Sequence, residues 1–208
     1  VRDQGYRWKD IAVICNDLDS YGSLIQRVFR DYEIPFFMDR KKDIMDNPII
    51  EFMLASLLSV ERGYLYEDIF RSLKTGLGAL DDESCEKLEN YVLTYGIRGN
   101  RWKEAFSQGE EDKLEKLNEW REAVITPLEE MKAALAGAET FADITRVLYE
   151  YLESMAIPQK LEQWIEELRA EGLYEVVLEY TQIWNLVIET FDQMVEILGD
   201  QQGELKDY

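Results

Sequence analysis

Apolar positions change their period partway along the chain. Residues 10–16, "DIAVICN", form a short β-rich apolar run between polar residues, the pattern of a buried strand. Residues 18–32 put Leu24, Ile25, Val28 and Phe29 on one helical stripe. Residues 34–39, "IPFFMD", read as a second strand. Strand, helix and strand in this order predict a βαβ unit with parallel strands and a right-handed crossover. Two strands leave both sheet edges unpaired, so the expectation is a portion of a larger α/β domain whose other strands lie outside these residues.

From residue 46 the period is helical throughout. Residues 46–63 open with Asn47 as N-cap and Pro48 at the first helical position, and close near Gly63. A shorter helix is predicted over 66–74, with Gly76 placed to end it. Residues 81–96 predict a helix capped by Asp81 and stopped by Gly96. Residues 110–137 carry Leu114, Leu117, Trp120, Val124, Leu128, Met131 and Leu135 on one stripe. The stripe stays in phase across Pro127, which favours one kinked helix over two. Thr140 and Asp143 have capping-box spacing ahead of a helix over 140–155. Further helices follow over 158–172 and 173–199, the last apolar on more than one face. The fold class expected is therefore mainly α with a small α/β part. The expected division is a partial α/β domain at 1–78, a helical subdomain at 79–200, and the start of a further element at 201–208.

Charge sharpens that division. The 208 residues are 46% apolar and 32% charged with a net charge of −20, a folded rather than a disordered composition. Residues 1–75 hold 11 Lys+Arg and 13 Asp+Glu, whereas 76–208 hold 12 and 30. A surface at −18 is a poor general clamp for a polyanion, so contact with nucleic acid there must be local. No apolar run approaches the roughly 20 residues that cross a bilayer. Cys15 and Cys85 read as free, buried or half-buried thiols that suit a reducing cytoplasm. With no His and no CxxC, zinc and iron–sulfur ligands are almost lacking, and the commonest general base is missing. The chain begins at Val1 without Met and reads as a piece of a longer polypeptide.

Few motifs carry chemistry. In "RSLKTGLGAL" (71–80), Lys74 and Thr75 precede Gly76 and Gly78 and end a helix. A phosphate loop needs its glycines first and its Lys opening the next helix, so this stretch is a helix stop and turn, with a backbone or Lys74 contact to a nucleic-acid phosphate as the alternative. Arg40, Lys41 and Lys42 follow the second predicted strand, where α/β sheets carry function, although a solvated loop is the plainer reading. "GIRGNRWKEAF" (96–106) is the basic island of the acidic half: Arg98, Arg101 and Lys103 surround Trp102, a set that can grip a strand by phosphate contact and stacking, or can simply place Trp102 in a core. Paired carboxylates sit at helix starts, where the dipole favours them. No residue is assigned a catalytic, cofactor or metal role.

The stretch "YRWKDIAVICNDLDSYGSLIQRVFRDYEIPFFMDRKKDIMDNPIIEFMLASLL" resembles the start of the second motor domain of UvrD-type superfamily 1 helicases. The following "EDIFRSLKTGLGALDDESCEKLENYVLTYGIRGNRW" is similar to the AddB (RexB) component of bacterial AddAB (RexAB) helicase–exonucleases. The resemblance covers most of 6–106 strongly and 110–199 more loosely. It implies a helical 2B subdomain inserted into an α/β 2A domain. It further implies an ATP-dependent helicase/deoxyribonuclease parent that processes double-strand DNA ends for recombinational repair in the cytoplasm, with an AddA-type partner, DNA as substrate, and ATP, Mg and a 4Fe-4S cluster elsewhere in the complex. Motor helicases of this type carry an arginine after the strand matching 11–15; here Asn16 and Asp17 stand there, which suits a polypeptide without an active motor at this site. The same resemblance gives the Lys74–Gly78 turn a possible role touching duplex backbone. The alternatives are the same segment of a working UvrD-like helicase, and a helical interaction module with no DNA contact.

Overall fold

The computed structural model describes residues 5–38 and 44–208. They fall into two compact units, Val1–Asp43 and Ile44–Tyr208. The 78/79 boundary expected from sequence lies inside the second unit.

Among its described residues the N-terminal unit holds one α-helix, α1 (Leu18–Asp31). Asp17 caps it, its carboxylate accepting from the Ser20 N–H at 3.0 Å. The helix matches its apolar stripe. The two strands do not form: among the described residues there is no β-strand, and the expected βαβ unit is corrected to a helix flanked by extended segments. Ile11 has extended backbone (φ −112°, ψ 128°), but extended backbone becomes a strand only when a neighbour takes its N–H and C=O groups. Parallel pairs are stable when buried on both faces, and here Ile14 is 96% and Phe37 89% exposed. Phe36 does return to α1, meeting Phe29 edge-to-face at 5.4 Å.

The second unit is all helical: α2 (Pro48–Glu61), α3 (Tyr66–Leu73), α4 (Asp82–Tyr95), α5 (Glu111–Leu135), α6 (Phe141–Ser154), α7 (Ile157–Ala170) and α8 (Tyr174–Leu198). The starts of α2, α4 and α6 follow the capping chemistry. The Asn47 side chain accepts from the Ile49 N–H at 3.0 Å ahead of Pro48, and Asp81 accepts from the Ser84 N–H at 2.8 Å. Thr140 and Asp143 close a reciprocal capping box. Helix α4 stops at Gly96 in the left-handed region (φ 59°), where a side chain would be strained. Helix α5 runs unbroken through Pro127. Helices α2, α5 and α6 pack together at the centre, α3 and α4 cover one flank, and α7 and α8 join through α6.

The core is aromatic. A short 3-10 helix, Gly99–Lys103, buries Trp102 completely between Phe70 (6.2 Å) and Phe106 (6.1 Å). Tyr91 stacks on Phe106 at 4.7 Å. Burying a side chain of this size removes about 150–250 Å² from water, an upper estimate of roughly 4–6 kcal/mol. Tyr151 lies parallel to Phe52 at 5.9 Å and donates its hydroxyl to Ser56 Oγ at 3.0 Å. Among the described residues, no helix is long and apolar enough to cross a membrane.

Candidate nucleic-acid interface

The first candidate is the turn after α3. Thr75 Oγ1 donates to the Ser72 carbonyl at 2.6 Å and accepts from the Leu77 N–H at 3.2 Å, which folds the chain back. Gly76 takes φ 76°, and a Cβ there would lie 3.2 Å from the Trp164 ring. Leu77 is fully buried. The carbonyls of Leu77 and Gly78 both accept from Lys160 Nζ, at 2.8 Å each, across from α7. The turn is thus locked by its own threonine and by a lysine 82 and 83 residues away. Burial pulls the Lys160 pKa below the ordinary lysine value.

Lys74, at the C-cap of α3, is engaged as well. Its ammonium meets Glu89 at 2.6 Å, and Glu89 also accepts from the Tyr66 hydroxyl at 2.5 Å. Burial pushes the Glu89 carboxyl up, but the hydrogen bonds from Lys74 and Tyr66 outweigh it and hold it below the usual carboxylate range. The hydrogen bond to Glu89 raises the Lys74 pKa. To meet a phosphate, Lys74 has to share or leave this carboxylate.

The second candidate is the 98–103 island. Arg101 Nη1 donates to the carbonyls of Tyr95 (2.8 Å) and Gly96 (2.9 Å), closing the last turn of α4. Lys103 pairs with Glu129 of α5 at 2.6 Å, and the Tyr64 hydroxyl donates to the same carboxylate. Lys103 and Lys132 both stand over the Tyr64 ring, at 5.5 and 4.9 Å from its centroid. Burial first, then the bond to Glu129, drive the Tyr64 hydroxyl far above its ordinary pKa. Trp102 lies in the core with no exposed face, so it has no surface from which to stack on a base; its carbonyl accepts from Arg121 Nη1 at 3.1 Å. Of the two readings of Trp102, burial favours the core one: spacing placed a tryptophan among basic residues but did not tell which way it faced.

Of the four basic candidates at 74 and 98–103, Arg98 alone is exposed with no side-chain hydrogen bond or ion pair among the described residues. Arg40, Lys41 and Lys42 lie outside the described residues. Lys160 escaped sequence reasoning, because a lone Lys in "PQKLEQW" carries no local sign of two carbonyls brought to it by the fold. Among the described residues, no group of three or more His, Cys, Asp or Glu is set to hold a metal ion. Cys85 is buried, and burial pushes its thiol pKa up, the reverse of what a thiolate ligand needs.

Fold and site together define a helical module whose basic groups mostly serve its own architecture. No family model matches this chain. Curated relatives do, and all three that follow are AddB proteins, the B-type component of an ATP-dependent helicase/deoxyribonuclease. The one from Alkaliphilus metalliredigens is 44% identical over 226 residues, covering 100% of this chain and 20% of that protein. Its counterpart in Alkaliphilus oremlandii is 45% identical over 224 residues, with 100% and 20% covered, and that of Clostridium botulinum (strain Loch Maree) is 41% identical over 220 residues, with 100% and 19% covered. The chain spans about a fifth of the length of these relatives. It is homologous, over its whole length, to one segment of the AddB family of ATP-dependent helicase/deoxyribonucleases.

Proposed function

We propose that this chain is a non-catalytic segment of the AddB component of an AddAB-type ATP-dependent helicase/deoxyribonuclease, serving as scaffold and as a surface along the DNA path or toward a partner. The parent complex processes double-strand DNA ends for recombinational repair in the cytoplasm, together with an AddA-type partner. ATP, Mg and a 4Fe-4S cluster belong to other parts of that complex. The carrying observation is the match to AddB along the entire chain at 44% identity. The internal pairing of Lys74, Arg101 and Lys103 supports a scaffold first, with Arg98 as the group offered outward.

The test uses the assembled two-component complex and forked duplex DNA over a range of salt. Arg98→Ala is expected to lower the slope of log affinity against log salt by about one, the signature of one lost phosphate contact. Arg101→Ala is expected to leave that slope alone and to cost about 1 kcal/mol of stability through the lost cap. An unchanged slope in Arg98→Ala removes the DNA-path reading. ATP hydrolysis or DNA cleavage intrinsic to the purified segment overturns the non-catalytic one.

A further inference from the structure

Helices α7 and α8 pack along each other, and Trp164 meets Tyr180 edge-on at 5.8 Å on one side of the pair. By helical spacing a different face of α7 borders a groove of about 340 Å³. Its floor includes Leu161, Ile165 and Trp184, and its rim carries Glu162, Glu166 and Arg169. Glu162 and Glu166 stand four residues apart on one helix, where like charges repel. Neither forms an ion pair among the described residues. The apolar strip runs on beyond the groove. On α8, Leu178 lies three residues before the lining Thr181 and is 60% exposed, and Tyr174, a turn further back, is 62% exposed.

An apolar floor beside two carboxylates and a single guanidinium, Arg169, selects its occupant by charge. Phosphates would meet two like charges against the one cation Arg169, in a region whose net charge is already −18, so nucleic acid is disfavoured. A helix with an apolar stripe flanked by Lys or Arg gains on both counts: its stripe covers the floor and Leu178, and its cations relieve Glu162 and Glu166. The α7 rim from Pro158 to Arg169 gives it roughly three turns, about 17 Å, to lie along. We propose that the α7–α8 groove docks a basic amphipathic helix of a partner protein. This rests on the groove alone and does not depend on the helicase–nuclease reading.

The probe is a synthetic helix with an apolar stripe and flanking lysines, titrated into the full-length protein by fluorescence anisotropy. Glu162→Gln/Glu166→Gln is expected to weaken binding about fivefold, the combined effect of two exposed charge pairs. The control Glu111→Gln/Glu115→Gln makes the same charge change at an exposed i,i+4 pair on α5 and is expected to shift affinity less than about twofold. Leu178→Asp is expected to weaken binding about tenfold by removing an apolar contact, although it adds a negative charge. A peptide with its lysines replaced by glutamates is expected not to bind. If both double variants weaken binding equally, or Leu178→Asp tightens it, the attraction is general electrostatics and the proposal fails. Displacement of the peptide by forked DNA overturns it as well.

Discussion

Tyr151 shows what a single buried hydroxyl does for this protein. Burial pushes its pKa up to about 12, from an ordinary value of 10.0, with the bond to Ser56 acting in the other direction. The folded state therefore holds this proton more tightly than the unfolded chain does. The contribution is fully present below pH 10 and is lost as pH rises through about 12, with a slope of up to about 1.4 kcal/mol per pH unit between them. Tyr151→Phe is expected to cost about 1 kcal/mol at neutral pH and to flatten that alkaline loss, read from urea unfolding at several pH values. An alkaline slope equal to that of the unaltered protein would refute the assignment. Trp102 and Lys160 mark the limits of the sequence at this scale. The apolar stripes placed Leu117, Val124, Leu128 and Met131 in the core, where they lie. Trp102 sits in a 3-10 turn with no repeating period, so spacing said nothing of its direction.

Helices were legible because their ends are chemical. Asn47–Pro48, Asp81, Gly96 and the Thr140–Asp143 box each meet an orphan backbone group, and that information is local to a few residues. The phase of the α5 stripe across Pro127 is likewise local, and the helix runs on as the stripe requires. Strands are different in kind. "DIAVICN" has strand composition, yet a ladder needs a partner that composition cannot supply. Ties between distant elements are equally hidden, and Lys160 is the clearest. Lys160→Met leaves the Leu77 and Gly78 carbonyls without their donor, so it is expected to destabilise by about 1–3 kcal/mol, measured as a lower urea midpoint. A midpoint within error of the unaltered protein would show that water replaces the ammonium at no cost.

At the scale of the molecule, the continuous core runs from Ile49 to Phe191, inside one of the two compact units. Residues 44–208 expressed alone are therefore expected to unfold in one cooperative transition, with circular dichroism and tryptophan fluorescence giving coincident urea curves. Separate transitions would mean that α7 and α8 form a cooperative unit of their own. The wide spacing of the core partners also sets a timetable during synthesis. The hydroxyl that meets Ser56 belongs to a residue 95 positions later. At about 5–20 residues per second, the ribosome takes roughly 5–19 s to supply it. For that interval α2 waits for the stacking partner of Phe52, and the nascent chain presents to chaperones an apolar helix face that the finished protein buries.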